Sequence, residues 1–197
     1  MHSIWLTPEP QARSQIRGTI RKLAEACHLP AFEPHITFVG DLALSYKDTV
    51  RLCESCLTDI GPIRARVRSV DGTKDFYRSL FLETELTPDL TVQRRALLAA
   101  LQGETQSDFR PHISLAYGAI DAHARGRLIA DLTTEYVGFE FHLSSVDIAR
   151  SSRTTPIESW RCLWRRTIAQ PAGQGTSASQ GNSIDGLVGE EGLEKNA

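Results

Sequence analysis

Cysteine is scarce in this chain: Cys27, Cys53, Cys56 and Cys162 are the only four. They are too few and too scattered to form a disulfide framework. Cys53 and Cys56 make one C-x-x-C pair, but no second pair follows and the flanking pattern is helical. Buried or half-buried thiols are expected there, not a zinc or redox site. Long apolar runs are also missing. None approaches the roughly 18 residues of a membrane span. The opening MHSIWLTPEPQAR meets Pro, Glu and Arg too soon for a signal-peptide core. These features lead to the expectation of an intracellular, cytoplasmic chain with no membrane partner. An excess of one charge is missing as well. The formal net charge of −2 gives no bulk basic footprint for long nucleic acid, so any phosphate must be held by a few placed groups. From Gln170 onward there are no aromatic residues, and Gly, Ser, Gln and Glu dominate. Such a segment buries too little apolar surface to offset its ordering entropy. Residues 168–197 are therefore expected to form a disordered tail, and residues 1–167 one folded domain, a monomer.

What the chain does have is a phrase said twice. Pro34-His35-Ile36-Thr37-Phe38 is answered by Pro111-His112-Ile113-Ser114-Leu115. With the two histidines in register, the flanks agree too. Ser3-Ile4-Trp5-Leu6 matches Ser79-Leu80-Phe81-Leu82, Thr7-Pro8-Glu9 matches Thr87-Pro88-Asp89, and Ile63–Asp71 (IRARVRSVD) matches Phe139–Asp147 (FEFHLSSVD). The repeats are about 3–71 and 79–147.

Each Thr-Pro-acid triplet reads as a helix start, with Thr as N-cap and Pro at the first helical position. The first helix is expected to run to Cys27 and the second from Pro88 to Gln102, ending at Gly103. Ser45 with Asp48 resembles a capping box before a third helix, and Ala122–Thr134 holds a fourth. The order is strand, helix, His-strand, helix, strand, given twice, with an extra strand near Ile157–Thr167. The fold class expected is α+β: two pseudo-symmetric lobes, each an antiparallel sheet with helices on its outer face, and an active-site cleft between them.

In a strand, alternate side chains share a face, so His35 and Thr37 point one way, as do His112 and Ser114, each pair about 7 Å apart. The two strands together offer two imidazoles and two hydroxyls at one place. This arrangement suits hydrolysis of a phosphodiester. Imidazole's pKa near 6.5 lets one ring take a proton while the other gives one, and hydroxyls can donate to the non-bridging phosphate oxygens. There is no HExxH, no aspartate cluster and no acidic neighbour to either histidine, so no metal and no cofactor are expected.

The paired H-x-[TS] motifs resemble those of the two-histidine phosphoesterase superfamily, a duplicated two-lobe fold that includes RNA ligase-like phosphoesterases. The opening SIWLTPEPQ and the PHISLAYG segment are similar to the plant and fungal cyclic phosphodiesterases. The resemblance implies a small cyclic-phosphate nucleotide as substrate. It would be ADP-ribose 1″,2″-cyclic phosphate, opened to the 1″-phosphate downstream of tRNA splicing, or nucleoside 2′,3′-cyclic phosphates, opened to 2′-phosphates. It carries His35 and His112 over as catalytic, and Thr37, Ser114 and Tyr117 as phosphate-holding. It casts His35 as acid and His112 as water activator, although the near-identical motifs do not separate those roles.

Tyr77, beside Phe76 and Arg78 in the crossover, is a candidate base-stacking residue, while Phe76 can equally be core. Trp5, Trp160 and Trp164 read as core or edge packing. Arg110 either steers substrate or is merely solvated, and His142, equivalent to Arg66, can line the cleft. Two alternatives stand beside the cyclic phosphodiesterase: an RNA-end-processing phosphoesterase and a non-catalytic nucleotide-binding module.

Overall fold

The computed structural model describes residues 1–57, 60–101 and 109–169. Gly103 and the expected tail from Gln170 lie outside them. Within them the element order repeats. β1 (His2–Pro8), α1 (Pro10–Cys27), β2 (Ile36–Leu42), α2 (Tyr46–Cys56) and β3 (Ile63–Asp71) are followed by β4 (Leu80–Thr87), α3 (Thr91–Ala100), β5 (His112–Ala116), α4 (Ala122–Tyr136) and β6 (Glu140–Arg150). β7 (Arg161–Thr167) is the extra strand; Ile157–Ser159 before it is a short 3₁₀ turn.

The antiparallel strands run in the order β1-β2-β5-β4-β3-β6-β7, and a further β1–β6 pairing closes the first six into a ring. The two sheets expected, one per repeat, are thus joined into one. β2 meets β5 at Ile36 and Ile113, the residues after the two histidines. β3 meets β6 along Ile63–Arg66, with Ala65 opposite Phe141. In both places equivalent residues pair with each other, so the pseudo-two-fold axis passes through these two seams. Closing the ring gives hydrogen-bond partners to strand edges that each repeat alone would leave open. The helices cross over as well. α1 packs on β5 and α3 on β2, so each lies over the other repeat's histidine strand. One contiguous apolar core, with Ile36, Phe38, Leu80, Ile113 and Leu143 all buried, therefore runs through both repeats.

The local grammar holds with shifts. Ser45 caps α2 by accepting from the Asp48 amide at 3.2 Å, as expected. Thr7, however, is not the cap of α1. It belongs to β1 and donates to Asp147 Oδ2 at 2.8 Å, while Glu9 is the N-cap residue and Pro10 opens the helix. Thr87 likewise ends β4, and Asp89 instead accepts from the Thr91 amide at 2.9 Å. The proline-acid pair stops a strand and turns the chain; the helix begins only after that turn. β3 alternates buried and exposed residues over Ile63–Arg68, the half-exposed strand its sequence describes. Cys53 is buried and its thiol pushed up to about 12 by burial, Cys56 is half-buried, and all four cysteines are free thiols.

Candidate active site

His35 stands just before β2 and His112 opens β5, so the seam at Ile36 and Ile113 brings the two motifs side by side. The same local bond holds both rings. His35 Nδ1 lies 2.8 Å from the Glu33 carbonyl and His112 Nδ1 2.9 Å from the Arg110 carbonyl, each two residues back. A carbonyl only accepts, so Nδ1 carries the hydrogen and the neutral ring keeps its lone pair on Nε2. Both rings line one cavity of about 370 Å³, together with Thr37, Ser114, Tyr117 and Tyr77. All six residues singled out in the sequence are brought together there.

The two rings differ in their surroundings. His35 is buried and stacks face to face on Trp5, with centroids 3.8 Å apart and planes 14° apart. Burial lowers its pKa to about 4; the Glu33 carbonyl acts against this, and the His112 charge adds to it. His112 is only half-buried and meets Phe81, the counterpart of Trp5, edge-on at 5.3 Å. Its pKa is also lowered, mainly by burial, with Arg78 contributing and the Arg110 carbonyl opposing.

The strand ends at Ala116, which frees Tyr117 from strict alternation and turns it inward. It stacks on Phe32 at 4.2 Å, and burial pushes its hydroxyl up to about 12, with Ser114 pulling the other way. Gly118 follows with φ +130, where a Cβ would come within 2.6 Å of Leu29, and its amide holds the Phe76 carbonyl at 3.0 Å. That bond ties the 3₁₀ turn Phe76–Arg78 to the end of β5. The Tyr77 hydroxyl donates to the Arg153 carbonyl at 3.0 Å, the Arg153 guanidinium lies 5.5 Å from the Tyr77 ring, and Asp41 accepts from the Arg153 amide at 3.2 Å.

Several residues stand elsewhere than expected. Trp5 and Trp160 are not mere packing but walls of the cavity; the signal for Trp5 was its match to Phe81 in the repeat. Phe76 is exposed, not core. Arg110 lines the cavity as a largely exposed side chain and is also paired with Glu83 at 2.9 Å. His142 pairs across the sheet with Arg64, away from the cavity, because the β3–β6 seam lies opposite the β2–β5 seam in the ring. Arg94 reaches the cavity from α3 and donates to the Phe38 carbonyl at 2.9 Å. It and Arg153 carry no motif that marks them. Among the described residues no three His, Cys, Asp or Glu side chains are grouped as metal ligands, and no helix is long and apolar enough to cross a membrane.

Comparison with known proteins agrees with this geometry. Residues 1–168 match the family model described as "Cyclic phosphodiesterase-like protein". The chain is similar to the cyclic phosphodiesterase of Arabidopsis thaliana, 20% identical over 167 residues that cover 83% of this chain and 92% of that one. Among solved structures, the fold is shared with TT0787 of Thermus thermophilus (TM-score 0.58, 18% identity, 85% of this chain and 97% of that one). It is also shared with E. coli LigT, solved with 3′-AMP (TM-score 0.52, 17% identity, 86% and 98%). A chain matched over nearly all its described length, with paired His motifs facing one cavity, belongs to the cyclic phosphodiesterase-like family of the two-histidine phosphoesterases and is a phosphodiesterase.

Proposed function

We propose that the enzyme opens small ribose cyclic phosphates by metal-independent acid–base catalysis. The substrates are ADP-ribose 1″,2″-cyclic phosphate, giving the 1″-phosphate, and nucleoside 2′,3′-cyclic phosphates, giving 2′-phosphates. The observation that carries this reading is the pair of histidines, each with Nδ1 tied to its own backbone and Nε2 left for the one cavity both line. The two repeats serve as two lobes, and the substrate phosphate sits in the cleft between them. The cavity falls within the size range of small-ligand sites, and E. coli LigT, of the same fold, holds 3′-AMP.

In the reaction a water oxygen attacks phosphorus while one imidazole takes its proton. The bond from phosphorus to the leaving ribose oxygen breaks, and that oxygen receives a proton from the other imidazole. Thr37 and Ser114 donate to the non-bridging oxygens, Tyr117 sets the Ser114 hydroxyl, and Tyr77 offers its ring to the base. His35 takes the proton from water. Sealed under Trp5, it is the ring that stays neutral at pH 7. His112, at the half-open side, receives its proton when the phosphate anion arrives and raises its pKa. These roles reverse those implied by the family resemblance.

Phosphorus NMR of both substrates in the presence of EDTA tests the reaction. A single phosphomonoester should appear, the 2′-isomer from the nucleoside. Turnover that needs an added divalent metal would overturn the reading, and intact substrate with stoichiometric folded protein would leave only a nucleotide-binding module. Thr37→Ala and Ser114→Ala should each lower kcat by about 10²-fold with circular dichroism unchanged; unchanged kcat in both would remove the hydroxyls from the site.

A further inference from the structure

Thr37, Trp5, Asp147 and Arg165 pair in one row across β2, β1, β6 and β7. Trp5 and Trp160 stand in the middle of that face as a partition and line a cavity on either side. The second cavity, of about 270 Å³, holds five arginines. Arg13, Arg17 and Arg21 are spaced four apart on one side of α1, and Arg161 and Arg165 come from β7. Three carboxylates also line it: Asp147, Glu33 and Glu158. Asp147 is taken up by Arg165 through two bonds of 2.8 and 2.6 Å, and Glu33 lies 3.4 Å from Arg17. Arg13, Arg21 and Arg161 have no carboxylate partner among the described residues.

Surface arginines are ordinarily solvated, and three such side chains alone would mean little. Arg13 decides the matter differently. Its Nε is buried and has no hydrogen-bond acceptor among the described residues. A buried donor left unmet is costly, and an anion in the cavity would meet it. Five arginines against three carboxylates leave the lining with an excess of positive charge, which favours an anion there. Their planar forks match phosphate oxygens two at a time. Cations from two elements that line one cavity suit a ligand with more than one anionic group.

We propose that this cavity is a diphosphate-binding site next to the catalytic one, with Arg13 and Arg161 as the clamps from its two walls. Two sources share this chemistry: the remote diphosphate of a substrate whose cyclic phosphate lies beyond Trp5 and Trp160, or a separate diphosphate ligand.

The test is calorimetric titration of the full chain with inorganic pyrophosphate. Wild type should bind it, the His35→Ala/His112→Ala variant should bind within threefold of wild type, and Arg13→Gln/Arg161→Gln should bind at least tenfold more weakly. Arg161 is exposed, so Arg161→Gln alone keeps the fold and should weaken binding at least threefold. Arginine variants that bind like wild type, or binding lost only in the histidine variant, would overturn the proposal. These measurements do not depend on the proposed reaction. Kinetics then separates the sources, both of which keep the site. A KM raised by Arg161→Gln for ADP-ribose 1″,2″-cyclic phosphate but not for a nucleoside 2′,3′-cyclic phosphate marks the substrate's own diphosphate. Pyrophosphate that alters turnover without competing marks a separate ligand. If neither compound turns over, the reaction reading fails and the titration still decides the site.

Discussion

Replacing either His35 or His112 with alanine is expected to lower kcat/KM for a 2′,3′-cyclic nucleotide by about 10²–10⁴-fold, the usual worth of a positioned acid or base. The double variant should be little worse than either single one, because both protons move in one step and losing either partner stalls it. The leaving group separates the roles. A ribose alkoxide needs a proton as it departs, whereas the nitrophenolate of an aryl phosphodiester does not. If His112 is the acid, His112→Ala should recover most of its lost rate on the aryl ester and His35→Ala should not. Recovery by His35→Ala instead would overturn the assignment. The expectation rests on surroundings, since the Nδ1 bonds of the two rings are alike. The difference lies in what covers them: a stacked indole over His35 and the edge of a phenyl ring beside His112.

That difference was in the sequence as Trp5 against Phe81, but its geometry was not. Repetition made the element order legible, because a strand–helix grammar read once is weak and read twice in register is strong. It also made the site legible. Two H-x-[TS] strands related by a two-fold axis must meet somewhere, and they meet at Ile36 and Ile113. The way the halves join was not legible. The alternation in Ile63–Arg68 marks β3 as half-exposed, but nothing local says that its free edge pairs with β6 or that α1 and α3 cover each other's repeats. Two sheets were therefore expected where one closed sheet formed. Residues that reach the site from irregular backbone, such as Arg153 in the loop after β6, have no periodicity to betray them. Thr7 misled for a related reason. Thr-Pro-acid fits a helix cap, but the β1–β6 pairing kept Thr7 in a strand and gave its hydroxyl to Asp147.

The burial of His35 also predicts how the protein responds to acid. Its pKa is near 6.5 in the unfolded chain and about 4 in the fold, so between these values the unfolded state binds more protons. The stabilisation is fully present above pH 6.5 and is lost as the pH falls toward 4. The shift corresponds to about 3 kcal/mol in total. Urea unfolding at pH 7.5 and 4.5 should show wild type losing about 2–3 kcal/mol more than His35→Gln, which has no proton to take up. Equal losses would mean that His35 titrates as it would in water. His112 shifts in the same direction but is present in both proteins and cancels. Trp5→Leu should partly undo the effect. Opening the stacked face to water should move the His35 ring titration, followed by NMR, up from about 4 toward 6.5. The acid limb of kcat/KM should move up with it, so that the variant loses most of its activity near pH 5. The roles themselves are decided by the leaving group, because near neutrality a stronger base and a better-protonated acid would both lift the plateau.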